Sequence, residues 1–269
     1  MSRYRVAALQ MVSGADVAGN LDRAARLLAA AADAGAELAL LPEYFGVLGA
    51  RATDKLAVAE RDGEGPQQRF LADAARRHRM IVVGGCVPIA TDDPGHVRSA
   101  LLAYDATGAR LVRYDKMHLF AFAEGDERYD EARTIAPGDG VAAFDAPCGR
   151  VGASICYDLR FPELYRALGD VALILVPAAF TVPTGRAHWE LLLRARAVEN
   201  QCYVLAAAQG GLHANGRRTY GDSMIVDAWG SIVARREEEG EGIVVGDIDS
   251  EVTADVRRKL PAHAHRRIR

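Results

Sequence analysis

The chain has 269 residues, half of them hydrophobic and 26% charged, with 33 Lys+Arg against 36 Asp+Glu and a formal net charge of −3. This length can bury a sizeable core in one large domain or two small ones, the composition excludes a disordered chain, and the lack of a basic excess argues against a general nucleic-acid binder. No apolar run approaches the roughly 18 residues of a membrane span, and residues 1–14 lack the continuous apolar stretch of a secretion signal, so we expect a cytoplasmic protein with neither nucleic-acid nor membrane partner.

Short runs rich in Val, Ile and Ala alternate with longer helical patterns. Tyr4–Gln10 reads as a strand, and Asn20–Ala34 as a helix with Leu21, Ala24, Ala25, Leu28 and Ala31 at helical spacing. Glu37–Leu41 is a strand stopped by Pro42. Gly65–Arg79 is a helix with Pro66 in its first turn, followed by a buried-type strand over Met80–Val87. Ala100–Asp105 and Arg110–Tyr114 form a hairpin across Ala106-Thr107-Gly108. Further on, Val141–Ala146 and Val151–Ile155 are strands, Pro162–Leu168 a short helix, and Val171–Val176 a strand ending at Pro177. A helix over Ala187–Asn200 leads into a strand over Cys202–Ala207. Strands over Asp222–Asp227, Ser231–Arg236 and Gly242–Asp247 precede a last helix, Asp249–Lys259, capped by Asp249 or Ser250. No linker, repeat or low-complexity tract interrupts the chain. Residues 1–269 are expected to form a single α/β domain with helices on the outer faces of mixed sheets.

Three segments at predicted strand ends carry chemistry, where α/β proteins place their reactive loops. Leu40-Leu41-Pro42-Glu43-Tyr44-Phe45 delivers a carboxylate into aromatic company, where desolvation raises its pKa and suits it to act as a base. Lys116, in Tyr114-Asp115-Lys116-Met117-His118, could stabilise an oxyanion or hold a carboxylate ionised; His118 reads as a packed, hydrogen-bonded histidine. Cys156 sits where a small-residue strand turns sharply into a helix begun by Pro162. Such a turn exposes a nucleophile, and nearby positive charge and a helix N-terminus would lower the thiol pKa. Cys86, Cys148 and Cys202 lack this setting and read as small buried residues, with no C-x-x-C pair for zinc or redox chemistry. Taken singly, Glu43 and Lys116 are better explained as exposed charges; their combination with Cys156 carries the argument.

Leu41-Pro42-Glu43, Asp115-Lys116-Met117-His118-Leu119-Phe120 and Cys156-Tyr157-Asp158-Leu159-Arg160-Phe161-Pro162-Glu163 resemble, in order and spacing, the three catalytic motifs of the nitrilase (carbon–nitrogen hydrolase) superfamily. His188-Trp189-Glu190, the stretch Arg194–Val204 and Tyr220-Gly221-Asp222-Ser223-Met224 are similar to its Nit branch, which contains omega-amidases and the amidases that repair deaminated glutathione. The segment from Ala121 to Asp126 departs from that branch's pattern. The resemblance implies a four-layer α-β-β-α sandwich, a Glu43–Lys116–Cys156 triad, and a second glutamate after the lysine, with Glu131 fitting best and Glu127 as the alternative. It implies amide hydrolysis through a cysteine thioester, with Lys116 and the backbone N–H of Tyr157 holding the oxyanion and ammonia released, and requires neither metal nor organic cofactor. Tyr44, Tyr157, Phe180 and Thr181 are candidate substrate-binding residues. Arg160 could bind a substrate carboxylate or pair internally with Asp158 or Glu163. His188 and Trp189 line the mouth or merely pack. Family members associate through helices beside the nucleophile motif, so a homodimer or higher homo-oligomer with Phe161–Leu168 facing the partner is expected. Competing functions are nitrile hydrolysis, N-carbamoyl amide hydrolysis or acyl transfer on the same triad, and a non-catalytic interaction protein.

Overall fold

A computed structural model describes residues 3–124 and 127–267, the side chains of Glu124 and Glu127 excepted. In chain order the first half contains β1 (Arg3–Gln10), α1 (Val17–Asp33), β2 (Leu38–Leu40), α2 (Asp54–Ala57), α3 (Pro66–His78), β3 (Ile81–Ala90), β4 (Val97–Tyr104), β5 (Arg110–Asp115), β6 (Ala121–Glu124) and β7 (Glu127–Asp130). The second half contains β8 (Ala143–Ala146), β9 (Gly149–Ala153), α4 (Pro162–Ala167), β10 (Leu173–Ala178), α5 (Val182–Asn200), β11 (Tyr203–Ala208), β12 (Gly210–Leu212), β13 (Arg218–Tyr220), β14 (Ser223–Val226), β15 (Ile232–Arg236), β16 (Gly242–Asp249) and α6 (Ser250–Lys259).

The side-chain alternation of β1 sets the layers. Val6 and Ala8 join one buried cluster, Ala7 and Leu9 the other, and all four are fully buried. A strand apolar on both faces must be covered on both. Two six-stranded sheets result, in the orders β16-β1-β2-β3-β4-β5 and β15-β14-β11-β10-β9-β8. Between them lies part of the larger cluster, where Val6, Leu38, Leu40 and Val83 face Val151, Leu173, Leu205 and Ile225. Ala24, Leu28 and Ala31 of α1 and Leu71, Ala74 and Ala75 of α3 cover the outer face of the first sheet. Leu164 and Tyr165 of α4 and Trp189, Leu193 and Ala197 of α5 join the core from the second sheet's side. The architecture is the four-layer α-β-β-α sandwich. In both sheets the central strands are parallel, β1-β2-β3 and β9-β10-β11, so their C-terminal loops collect at common ends. A parallel bridge between Met11 and Gln209 ties the two sheets together there.

The elements differ from the sequence expectation mainly at their ends. Helix α1 starts a turn earlier than Asn20, because the Asp16 carboxylate accepts from the backbone N–H groups of Ala18 and Gly19 and caps it. Helix α5 likewise begins at Val182, with a proline in its first turn, rather than at Ala187. Strand β10 does not stop before Pro177. Its pairing with β9 ends at Leu175↔Ala153, whereas its pairing with β11 continues to Ala178↔Ala208, so the missing proline N–H costs no ladder bond on the β9 side. Of the two candidate caps for α6, Asp249 accepts from Glu251 N–H. The β6–β7 and β12–β13 hairpins, absent from the sequence reading, are small two-stranded sheets separate from the main ones.

Candidate active site

Each chemical segment leaves the C-terminal end of a strand. Glu43 follows β2, Lys116 follows β5, and Cys156 follows β9. Leu41-Pro42 crosses close over β3 at Gly85, where any Cβ would lie 2.3 Å from the Pro42 carbonyl oxygen. Glycine there lets the Glu43 loop pack down onto the sheet. Tyr44 and Cys156 adopt left-handed conformations, with φ of 58° and 49°. For non-glycine residues this strain costs about 1–3 kcal/mol and persists only where the surroundings impose it.

Lys116 is completely buried. Its Nζ donates to Glu43 Oε1 at 2.8 Å and to Glu131 Oε2 and Oε1 at 2.7 and 3.0 Å. Glu131 also accepts from the Tyr44 hydroxyl and from Phe120 N–H, each at 2.7 Å. The structure therefore brings Glu43, Lys116 and Glu131 into one hydrogen-bonded cluster, and Cys156 lines the same cavity as both glutamates. Glu127, the alternative second glutamate, has a side chain outside the described residues.

The electrostatics separate the two carboxylates. Burial would raise the Glu131 carboxyl, but the Lys116 charge and hydrogen bonds outweigh it and hold the group below its ordinary range. For Glu43, burial prevails over Lys116, and the charge of Glu131 adds to it, so its pKa is raised. Burial would lower Lys116, yet the two glutamates drive it well above its ordinary value. The expected lowering of the Cys156 thiol is overturned. Burial, reinforced by Glu43, pushes it well above its ordinary value, against smaller opposing effects of Lys116 and the Ala179 backbone N–H. A buried neutral thiol beside a carboxylate of raised pKa is an arrangement in which the nucleophile needs a base to activate it.

A second network holds the nucleophile turn. Asp158, fully buried, accepts from Ile155 N–H at 2.8 Å, from the Tyr114 hydroxyl at 2.7 Å and from His118 N–H at 3.1 Å; His118 Nδ1 lies 2.7 Å from the same carboxylate. The His118 ring stacks on Phe161 at 3.7 Å. This joins the Lys116 segment to the Cys156 segment. Asp158 is accordingly occupied, and the internal Arg160 pair with Asp158 or Glu163 does not form. Arg160 instead donates to His188 Nδ1 at 3.2 Å and lies over the rings of Tyr157 and Phe180. It lines a narrow slot with Cys156, Tyr157, Phe180 and Thr181, while Tyr44 lines the larger cavity. Trp189 packs rather than lining the mouth, its Nε1 donating to the Asp222 carbonyl.

The sequence reading missed several contributors. Gln209, fully buried, donates to the Glu43 carbonyl and to Ser13 Oγ, bracing the loop from the other sheet. Lys55 of α2 and Asn215 and Arg217 of the β12–β13 turn line the cavity, and no spacing in the sequence marks them. Among the described residues no cluster of three or more His, Cys, Asp or Glu side chains could hold a metal ion, and no helix is long and apolar enough to cross a membrane.

Residues 5–258 match the carbon–nitrogen hydrolase family. The chain belongs to that family and is a carbon–nitrogen hydrolase of the nitrilase superfamily. It is 39% identical to the deaminated glutathione amidase of Yersinia enterocolitica, over 99% of this chain and 94% of that one. It is 35% identical to omega-amidase NIT2 of Danio rerio, over 99% and 96%. Its fold superposes on Saccharomyces cerevisiae Nit3, a branch 10 member of the nitrilase superfamily, with a TM-score of 0.88 and 30% identity over 99% and 97% of the two chains.

Proposed function

We propose that the whole chain acts as one amidase domain that hydrolyses a small carboxylated amide through a thioester on Cys156. One observation carries this reading: a buried Glu43–Lys116–Glu131 cluster shares a cavity with a strained, buried cysteine. The names of the similar amidases support it.

Glu43 takes the thiol proton as Cys156 Sγ bonds to the amide carbon. Lys116 Nζ and the Tyr157 backbone N–H stabilise the oxyanion. The tetrahedral intermediate collapses with cleavage of the C–N bond, and Glu43 returns its proton to the departing nitrogen; a primary amide releases ammonia. Glu43 then takes a proton from water, whose oxygen attacks the thioester, and the thiolate leaving the acyl carbon recovers a proton from Glu43. The net reaction is amide plus water to carboxylic acid plus amine. Glu131 fixes Lys116 through its ion pair. Arg160 receives a carboxylate on the acyl chain, a charge-assisted contact of high directionality.

The test quenches the enzyme during turnover and weighs it. An adduct of the substrate mass minus the amine, absent in Cys156→Ala, is expected. A carboxylated amide should exceed a neutral amide of equal length by about tenfold in kcat/KM. Preference for the neutral amide, a nitrile or a carbamoyl compound, or turnover without an adduct, overturns the proposal.

A further inference from the structure

Glu43 is joined to Tyr44 by a peptide under backbone strain, because Tyr44 has a φ of 58°. Turning that peptide over about its flanking bonds would carry the Tyr44 φ to a negative, unstrained value. Two hydrogen bonds oppose the turn, one at each end of the same peptide. Its carbonyl, on Glu43, accepts from Gln209 Nε2 at 3.0 Å, and its N–H, on Tyr44, donates to Cys86 Sγ at 3.2 Å. Gln209 follows β11 of the second sheet and Cys86 lies in β3 of the first, so the peptide is held from both sheets.

Each holding group is itself fixed. Gln209 is fully buried, and Ser13 N–H donates to its Oε1 at 3.0 Å. That bond orients the amide and leaves Nε2 to donate to Ser13 Oγ at 2.8 Å as well as to the Glu43 carbonyl. Cys86 reaches Tyr44 through a bulge: between the pairs Gly84↔Leu102 and Val87↔Ala100, β3 has one residue more than β4. Unbroken alternation would leave Cys86 on the face of Val82, whereas the extra residue turns it to the face of Val83, in the larger buried cluster. Burial, with the Glu43 charge, pushes its thiol up to about 12, so the sulfur stays protonated and accepts through a lone pair. A small cavity bordered by Tyr44, Val47, Cys86 and Ser99 lies against the loop. Packing on that side is therefore incomplete, and the hydrogen bond does the fixing. The peptide joins the two α-carbons from which the Glu43 and Tyr44 side chains branch. Its plane sets how the Glu43 carboxylate meets Lys116 and faces Cys156, and how the Tyr44 hydroxyl meets Glu131.

We infer that Gln209 and Cys86 are positioning residues for the base: together they clamp the Glu43–Tyr44 peptide in its strained orientation and so aim Glu43 at the nucleophile. The inference rests on the amidase reading above, with Glu43 as base, and deepens it.

The experiment compares Cys86→Ala with Cys86→Ser. The two side chains are nearly equal in volume, but only serine keeps an acceptor for Tyr44 N–H. Two processes are followed: turnover of a carboxylated primary amide, and alkylation of Cys156 by iodoacetamide, in which Sγ displaces iodide and Glu43 takes the thiol proton. Cys86→Ala should lower kcat and the alkylation rate about tenfold with KM kept within about twofold, while Cys86→Ser stays within about threefold of the wild type. Gln209→Leu should lower both rates as well, and adding Cys86→Ala to it should cost less than the product of the single effects, because both release one peptide. Wild-type rates in Cys86→Ala, a serine variant as slow as the alanine one, a change confined to KM, or fully multiplicative effects in the double variant overturns the clamp. No cleavage of any amide by the wild-type enzyme overturns the amidase reading, and the alkylation rates still decide the clamp.

Discussion

At the scale of single residues, the site depends on an imbalance between two carboxylates bound to one lysine. Both face Lys116, yet Glu131 has additional donors in Tyr44 and Phe120 and is held low, whereas burial pushes Glu43 up. A base must be ionised to act, so activity should be lost as pH falls through the Glu43 value, and this acid limb should lie above an ordinary glutamate's. Lys116 is held well above its ordinary value, so its deprotonation does not contribute an alkaline limb near neutrality. A pH profile of kcat/KM with an acid limb at or below the ordinary glutamate value contradicts this. Glu43→Gln should cut kcat by about a hundredfold or more. The stability sign follows from the same shift. A carboxyl raised in the folded state favours its neutral form there, so the fold loses stability as pH rises through the folded pKa. The neutral amide of Glu43→Gln should therefore unfold at neutral pH no more easily than the wild type; a thermal midpoint several degrees lower would count against a raised Glu43.

At the scale of elements, α3 shows a cap supplied from a distance. Gly65 at its N-cap offers no side chain, and the buried Glu60 carboxylate accepts from Gln67 N–H at 2.7 Å, Gln68 N–H at 3.2 Å and Gln68 Nε2 at 3.1 Å. The carboxylate lies against the positive end of the helix. Glu60→Ala leaves the Gln67 and Gln68 backbone N–H groups without a partner, while Gln68 Nε2 keeps the Arg61 and Glu64 carbonyls, and should cost about 2 kcal/mol in denaturant unfolding. Glu60→Gln should cost less, and a loss below about 0.5 kcal/mol for the alanine variant would remove Glu60 as the cap. The sequence could not reveal this cap, because it comes from outside the helix and five residues upstream of Gly65. The strands were more legible. Their apolar runs name the buried positions, and only their ends moved, as at Pro177, where the harmless missing N–H depends on how far β9 reaches. The β12–β13 hairpin was invisible for a related reason: Gly210-Gly211-Leu212 and Arg218-Thr219-Tyr220 have no apolar alternation, and tertiary contacts hold them, including the buried His213 against the Ser13 carbonyl. Its turn brings Asn215 and Arg217 to the cavity, so the missed element carries two of the missed lining residues.

At the scale of the whole molecule, motif spacing named residues that the fold gathers from both sheets, Glu43 and Lys116 from the first and Cys156 from the second, but it carries no record of which outer faces remain uncovered. Residues 161–168 illustrate this. Leu164, Tyr165 and Leu168 point into the chain's own core and cannot form an apolar contact with a partner. The large apolar side chains left in solvent nearby belong to α5 and the turn beside it: Leu191 is 66% exposed, Val198 47% and Trp229 61%. Leu191 and Val198 are seven residues apart on one helix face. Gly230 abuts Val198, and Arg194 Nε donates to the Gly230 carbonyl, so the Trp229 turn adjoins the same face. Contiguous exposed apolar side chains mark an association surface, and we propose that this face, rather than α4, mediates self-association of the chain. Leu191 lies one turn beyond His188, which accepts the Arg160 hydrogen bond, so association there would steady the side chain proposed to receive the acyl carboxylate. Sedimentation of the wild type should give twice the 28.9 kDa chain mass or a higher multiple, and Leu191→Glu combined with Trp229→Glu should shift it to the monomer. The monomer should keep its fold by circular dichroism and show a raised KM for carboxylated amides with a smaller change in kcat. A wild-type monomer, or an oligomer unaffected by both charges, would remove this face as the interface.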